Sequence, residues 1–135
     1  MEVIIETKKK VMIIDDDKEF LNEIVETLRL TGYDPIPTSE SIDAVDRIMQ
    51  TRPDVILLDL KMDKKSGFKV ADELMAKPET KEIPIIAITG VFTHQEHSLL
   101  LKMCNIKNRL IKPINPLDVI HLIEESISKD KHARR

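Results

Sequence analysis

The sequence contains no tryptophan, one cysteine and three glycines among its 135 residues, and aromatic residues make up only 3% of it. A single thiol cannot build a disulfide framework, so Cys104 favours a reducing compartment, and we expect a cytoplasmic protein. So few aromatic side chains exclude the stacking platform of a single-strand nucleic-acid binder. The three glycines form neither a Walker loop nor a dinucleotide fingerprint, which leaves nucleotide binding by those routes unsupported.

Long apolar runs and a strong charge imbalance are also missing. No apolar stretch approaches the length of a membrane span, and the N-terminal residues lack the order of a signal peptide, so no membrane insertion is expected. A formal net charge of −3 gives no case for direct nucleic-acid binding. The contents of 41% hydrophobic and 33% charged residues are typical of a globular domain with one core.

Short apolar runs alternate with segments of helical periodicity along the chain. This alternation predicts an α/β fold, in which a doubly wound parallel sheet carries helices on both faces. Two prolines in the second strand assign it to an edge of the sheet. The predicted strands are 11–14, 33–37, 55–58, 85–88 and 109–111.

Helices are predicted after each of these strands. The first helix ends at Gly32, and the last begins with an Asn115 cap and Pro116, with an apolar stripe that starts at Leu117. The remaining helices cover about 42–49, 68–75 and 93–104. The candidate caps for the helix at 42–49 are Thr38, Ser39 and Ser41.

Reactive side chains follow four of the predicted strands. In an open parallel sheet the carboxyl ends of the strands meet at one crevice. Carboxylates about 4 Å apart repel by roughly 4 kcal/mol at an effective dielectric near 20, so clustered acids there require a cation, and hard oxygen ligands suit Mg²⁺. A lysine and a hydroxyl would contact phosphoryl oxygens, and an aspartate would form an acyl phosphate. These residues are Asp15, Asp16 and Asp17 after the first strand, Asp59 after the third, Thr89 after the fourth and Lys112 after the fifth.

Each of these residues has a simpler interpretation when it is taken alone. Residues 15–17 could merely cap the following helix, Lys112 could be a surface charge, and Thr89 an ordinary strand-end hydroxyl. Their joint order, with every member at a strand end, favours the phosphoryl site. His94 and His97 are spaced for one helix face, but the sequence offers no evident third metal ligand, so solvated polar residues are the better interpretation.

The motifs together resemble the receiver domain of bacterial two-component response regulators. The resemblance covers about 10–128, which leaves an N-terminal leader at 1–9 and a basic tail at 129–135. It implies a flavodoxin-like fold of five parallel strands in the order 2-1-3-4-5. The matching segments are VMIIDDD (11–17), VILLDLKM (55–62), ITG (88–90) and IKP (111–113).

The resemblance also implies a role for each site residue. Asp59 is the phosphoacceptor, Thr89 the switch that senses the phosphoryl group and Lys112 its charge partner, joined to Pro113 by a bond that is often cis in the family. The implied Mg²⁺ ligands are Asp16 directly, Asp15 directly or through water, Asp59, and the backbone carbonyl of Lys61.

Two positions depart from the family pattern. Asp63 stands where the family usually has proline, and Arg109 stands where many members carry the Tyr or Phe that completes the switch. Two roles for Arg109 stay open, a permanent partner contact and a salt-bridge donor. The salt bridge would lie within the 4-5-5 face, which is the surface formed by the predicted fourth helix, fifth strand and fifth helix.

No effector domain follows in the sequence given, so we expect a stand-alone regulator that acts by protein contact, similar to chemotaxis regulators or intermediate phosphorelay proteins. The expected partners are a histidine kinase or phosphotransfer protein and a downstream target on the 4-5-5 face. The expected state is a monomer or weak homodimer. Apart from Mg²⁺-dependent self-phosphorylation and self-dephosphorylation at Asp59, no enzymatic activity is expected.

Two other classes remain possible from the residues. A phosphatase of the haloacid dehalogenase type would use Asp15 as nucleophile and Asp17 as acid, but Glu19 departs from its motif and Asp59 stays unexplained. An adaptor that keeps the fold and signals without phosphorylation would not need the acid set, Thr89 or Lys112.

Overall fold

A computed structural model describes residues 7–62, 64–90, 102, 106 and 108–133, with side chains as far as residue 128. The predicted helix at 93–104 apart from Lys102, its two histidines, Cys104 and Asp63 lie outside the described residues. The described elements are β1 (Lys10–Ile14), α1 (Lys18–Leu30), β2 (Asp34–Thr38), α2 (Ala44–Thr51), β3 (Val55–Asp59), α3 (Gly67–Met75), β4 (Ile85–Thr89), β5 (Asn108–Ile111) and α4 (Pro116–Ala133). The helix labelled α4 is the fifth helix of the prediction and of the 4-5-5 face.

The five strands form one parallel sheet in the order β2-β1-β3-β4-β5, so the predicted fold class and strand order are confirmed. β2 lies at one edge, where the absent N–H groups of Pro35 and Pro37 are tolerated. In register, Ile14 pairs with Leu58, and Asp59 pairs with Ile88. The carboxyl ends of the three central strands therefore finish close together along one edge of the sheet.

Hydrophobic clusters cover both faces of the sheet, as the unbroken aliphatic runs predict. Because side chains alternate along a strand, Met12 and Ile14 pack into one cluster with α2 and α3, while Val11 and Ile13 pack into the other with α1 and α4. All of β3 is buried. This two-sided burial fixes the register of β1 and β3, and so fixes the height at which the acidic residues leave the sheet.

Most helix ends follow the expected chemistry. Gly32 has φ +92° just after α1, a conformation that favours glycine, and this confirms it as the stop signal. Asn115 Oδ1 accepts a hydrogen bond from Leu117 N–H at 2.9 Å, which confirms the cap of α4. α4 itself continues to Ala133, into the segment predicted as a tail.

The predicted start of α2 was wrong. The Thr38 hydroxyl accepts a hydrogen bond from Glu40 N–H at 3.3 Å, within the loop, and so does not cap the helix. The N-cap position is Asp43, whose side chain makes no capping hydrogen bond. Ile42 precedes α2 in a turn and is half exposed.

The predicted apolar stripe of α4 was wrong at its first position. Leu117 is 74% exposed, whereas Val119 and Ile123 are fully buried and Ser126 is almost so. Ser126 Oγ accepts a hydrogen bond from the Asn108 side chain at 3.3 Å. The buried face of α4 therefore begins at Val119 and continues at helical spacing. Near its far end, the Asn108–Ser126 hydrogen bond links it to β5.

Tyr33 closes the junction between α1 and α4. Its backbone N–H donates to Leu28 O at 2.9 Å, and its ring packs against the cluster shared by the two helices. Burial, and then the nearby charge of Glu124, raise the pKa of Tyr33 above its ordinary value.

Within the described part of the chain, no helix combines the length and apolar character needed to span a bilayer.

Candidate functional site

The acidic residues predicted to meet at the sheet edge do meet there. One carboxylate oxygen from each of Asp15, Asp16 and Asp59 lies within 4.8 Å of the other two. Asp15 is fully buried and Asp59 is 5% exposed, while Asp16 lies open to solvent. The cluster is therefore a pocket with two buried acids and one acid at its mouth.

Asp15 lies at the centre of the polar contacts. Its Oδ1 accepts a hydrogen bond from Asp17 N–H at 2.9 Å, which orders the loop after β1. Its Oδ2 is buried and has no hydrogen-bond partner among the described residues, although Lys112 Nζ lies only 2.7 Å away. We interpret this contact as an ion pair without hydrogen-bond geometry, so one buried oxygen retains unused ligand capacity.

Asp59 is the last residue of β3, and its environment works against its charge. Burial, and next the charge of Asp15, raise the pKa of Asp59 to about 7. The hydrogen bond from Lys61 N–H to Asp59 Oδ1, at 3.0 Å, and the charge of Lys112 lower it by less. A carboxyl whose pKa is raised by burial and by a neighbouring acid is typical of a functional site.

Thr89 and Lys112 occupy adjoining strand ends. Thr89 is the last residue of β4 and is 4% exposed. Lys112 follows β5, and its N–H donates to Thr89 O at 2.8 Å, so the backbones of the two predicted phosphoryl contacts are joined. The Lys112–Pro113 bond is cis, as the resemblance implied.

Gly67 allows α3 to pack closely against the end of β3, because it has no side chain. Its N–H donates to Leu60 O at 3.0 Å, which brings the start of α3 against the end of β3. A Cβ atom built on Gly67 would overlap Asp59 O and would lie 2.7 Å from Leu60 Cα and 2.9 Å from Asp59 C. Ser66 caps α3 by accepting from Lys69 N–H at 3.3 Å. The loop after Asp59 is thus fixed by close backbone contact.

Phe20 is a site residue that the sequence did not indicate, because its position in α1 predicts only a core role. The centroid of its ring lies 4.6 Å from Lys112 Nζ. Phe20 and Lys112 also line a groove of about 460 Å³ between α1 and the start of α4. A contact between residues so far apart in the chain leaves no local sequence signal.

Three further predictions have different outcomes. Asp17 accepts from Phe20 N–H at 3.2 Å, which confirms it as the cap of α1. Arg109 takes the position of the aromatic residue usual in the family, and its side chain is exposed on β5. The two candidate roles of Arg109 stay predictions. The structure gives Lys61 a backbone N–H contact with Asp59, while metal ligation by the Lys61 carbonyl stays a prediction.

The donor set fits a hard divalent cation. Three carboxylate oxygens converge, Asp15 Oδ2 lacks a hydrogen bond among the described residues, and burial and the Asp15 charge raise the pKa of Asp59. Oxygen ligands of this kind, with one acid open to water, suit Mg²⁺ better than softer metals.

The fold and the acid pocket define a signalling receiver, and sequence comparison agrees. The sequence model of the response regulator receiver domain family matches residues 11–124, so the chain belongs to that family. Members of this family are signalling modules and not conventional enzymes. The haloacid dehalogenase alternative was therefore wrong, and its proposed acid, Asp17, serves as a helix cap.

Three similar proteins illustrate the range of this family. The chain is 33% identical over 82 residues to the polar-differentiation response regulator DivK of Brucella anthropi. The aligned region covers 61% of this chain and 67% of that protein. The chain is 29% identical over 120 residues to the probable transcriptional regulator ycf27 of Guillardia theta, covering 88% of this chain but only 45% of that relative. A response regulator structure from Desulfuromonas acetoxidans superposes with a TM-score of 0.80 at 28% identity, covering 89% and 97% of the two chains.

Proposed function

We propose that this protein accepts a phosphoryl group on Asp59 from a histidine kinase or phosphotransfer protein, in a reaction that requires Mg²⁺. The observation that carries the proposal is the convergence of Asp15, Asp16 and Asp59 oxygens within 4.8 Å, beside the ammonium group of Lys112. With Mg²⁺ bound, such a site would concentrate positive charge where a phosphoryl group gains negative charge during transfer.

In the proposed reaction the Asp59 carboxylate is the nucleophile. Its Oδ1 is engaged by Lys61 N–H, so we assign the attack to Oδ2. The new Oδ2–P bond forms as the P–N bond of the phosphohistidine donor breaks, and the imidazole leaves with the bonding electron pair. Asp15, Asp16 and Asp59 would hold Mg²⁺, which supplies charge neutralisation for the phosphoryl oxygens. Lys112 adds a further positive charge.

The proposed output is a population shift of the 4-5-5 face. A phosphoryl group would add charge beside Thr89 and Lys112, and the bond between their backbones offers a path to β5. The part of this face that the structure describes includes exposed Arg109, Ile111 and Leu117. A downstream protein is the proposed reader. A monomeric or weakly dimeric state and a cytoplasmic location stay predictions.

Labelling with acetyl phosphate or phosphoramidate tests the proposal. We expect intact-mass measurement to detect one added phosphoryl group on the wild-type chain in Mg²⁺ and none after chelation. Asp59→Asn should abolish labelling, while Asp72→Asn, at an exposed carboxylate of α3, should retain it. Labelling of the Asp59→Asn variant would contradict the assignment of Asp59 as the phosphoacceptor.

Target binding separates the phosphorylated receiver from the phosphorylation-independent adaptor. The proposal predicts that affinity for the downstream protein changes with a phosphoryl mimic on wild type and not on Asp59→Asn. Equal affinity of wild type and Asp59→Asn, each with and without the mimic, would favour the adaptor instead.

A further inference from the structure

The Phe20 ring is a part of the site that the phosphoryl chemistry above leaves without a role. Phe20 is the third residue of α1, and its ring centroid lies 4.6 Å from Lys112 Nζ. An ammonium group within about 6 Å of an aromatic centroid is attracted to the negative face of the ring. The contact is therefore close enough to affect where the lysine charge resides.

Lys112 needs such restraint because its side chain is long and flexible. Its backbone is fixed by the bond from its N–H to Thr89 O, but several rotatable bonds separate that anchor from Nζ. Two carboxylates restrain the ammonium, Asp15 at 2.7 Å and Asp17 at 4.0 Å. With Phe20, these groups come from the acidic loop after β1 and the helix that follows it.

The ring differs from the carboxylates in its response to a metal ion. A divalent cation bound at the acid pocket would share the negative charge of Asp15, and its own positive charge would repel the lysine, so the ion pair at 2.7 Å would weaken. The Phe20 ring carries no net charge and is not a ligand for a hard cation. Its attraction for the ammonium therefore persists when the pocket is loaded.

We propose that Phe20 is a positioning residue for Lys112, whose ring keeps the ammonium group at the pocket while the phosphoryl group is transferred to Asp59. This role rests on the function proposed above. It is separable from the packing of Phe20 against its core cluster, which another apolar side chain of similar size can supply.

A substitution series at position 20 tests the role. Phe20→Tyr keeps the aromatic face, whereas Phe20→Leu and Phe20→Met keep apolar volume without it. We expect Mg²⁺-dependent labelling by acetyl phosphate to be about three- to tenfold slower in the Leu and Met variants, and within about twofold of wild type in the Tyr variant. Lys112 side-chain protons should show upfield ring-current shifts in wild type that Phe20→Leu loses.

Phe68→Leu is the matched control, because Phe68 is a half-buried phenylalanine on α3 that packs against the opposite cluster. It measures the effect of the same Phe-to-Leu replacement away from α1. Thermal unfolding of each variant measures how much stability the replacement removes through lost packing. We expect the labelling rate of Phe68→Leu to stay within about twofold of wild type.

The outcomes separate the two proposals. Wild-type protein that takes no Mg²⁺-dependent label overturns the proposed function and, with it, the role of Phe20. Labelled wild type with an unchanged Phe20→Leu rate overturns only the role of Phe20. A Phe20→Tyr variant as slow as Phe20→Leu, or a Phe68→Leu variant equally slow, overturns it as well.

Discussion

At the scale of the residue, the acidity of Asp59 is linked to the stability of the fold. Burial and the Asp15 carboxylate raise the pKa of Asp59 from 3.8 to about 7 in the folded chain. The folded state therefore binds this proton more tightly than the unfolded state, so stability falls as pH rises from about 4 to about 7. Without divalent cations, we expect urea unfolding to give a free energy about 2–4 kcal/mol lower near pH 8 than near pH 5 from this group.

The Asp59→Asn variant isolates this contribution, because an amide does not titrate. It should lose most of the pH dependence and be the more stable protein at alkaline pH. Asp72→Asn serves as control, since its carboxylate is exposed on α3. Identical pH profiles for wild type and Asp59→Asn would contradict the linkage.

At the scale of the element, the docking of α3 on β3 depends on Gly67. A Cβ atom there would press on the backbone of Asp59 and Leu60, which cannot move without displacing the strand end or the helix. We expect Gly67→Ala to lower the free energy of unfolding by about 1–3 kcal/mol and to slow labelling of Asp59. Denaturant titration and intact-mass kinetics would measure the two effects.

Gly90→Ala is the matched control for this substitution, because a Cβ atom at Gly90 meets none of the described residues within 4 Å. Its free energy of unfolding should stay within about 0.5 kcal/mol of wild type. Loss of glycine flexibility in the unfolded chain would stabilise both variants, so equal losses in the two would contradict the close-contact explanation.

Elements with a strong pattern were predictable from the sequence, and tertiary contacts were not. The aliphatic run before Asp59 predicted a buried strand at 55–58, which the structure extends by one residue. The start of α2 was wrong because three nearby hydroxyls were equally plausible caps and Thr38 is used by the loop. The contact between Phe20 and Lys112, and the raised pKa of Asp59, depend on distances that only the folded chain sets.

At the scale of the whole molecule, Mg²⁺ should stabilise the fold, because the unfolded chain does not hold Asp15, Asp16 and Asp59 together. At a free concentration of about 100 times its Kd, a ligand specific to the folded state adds about 2.7 kcal/mol. We expect the thermal midpoint to rise by several degrees in MgCl₂ relative to NaCl of equal ionic strength. Asp15→Asn should remove most of that rise, and an equal rise in wild type and variant would contradict a site at this pocket.

Tyr33 has a practical consequence for work on this protein. It is the only tyrosine in a chain without tryptophan, and its ring lies where α1 meets α4. Its ultraviolet fluorescence is therefore not obscured by energy transfer to an indole. The emission of the native chain reports, without any label, on the junction between the helix that carries Phe20 and the helix that follows Lys112.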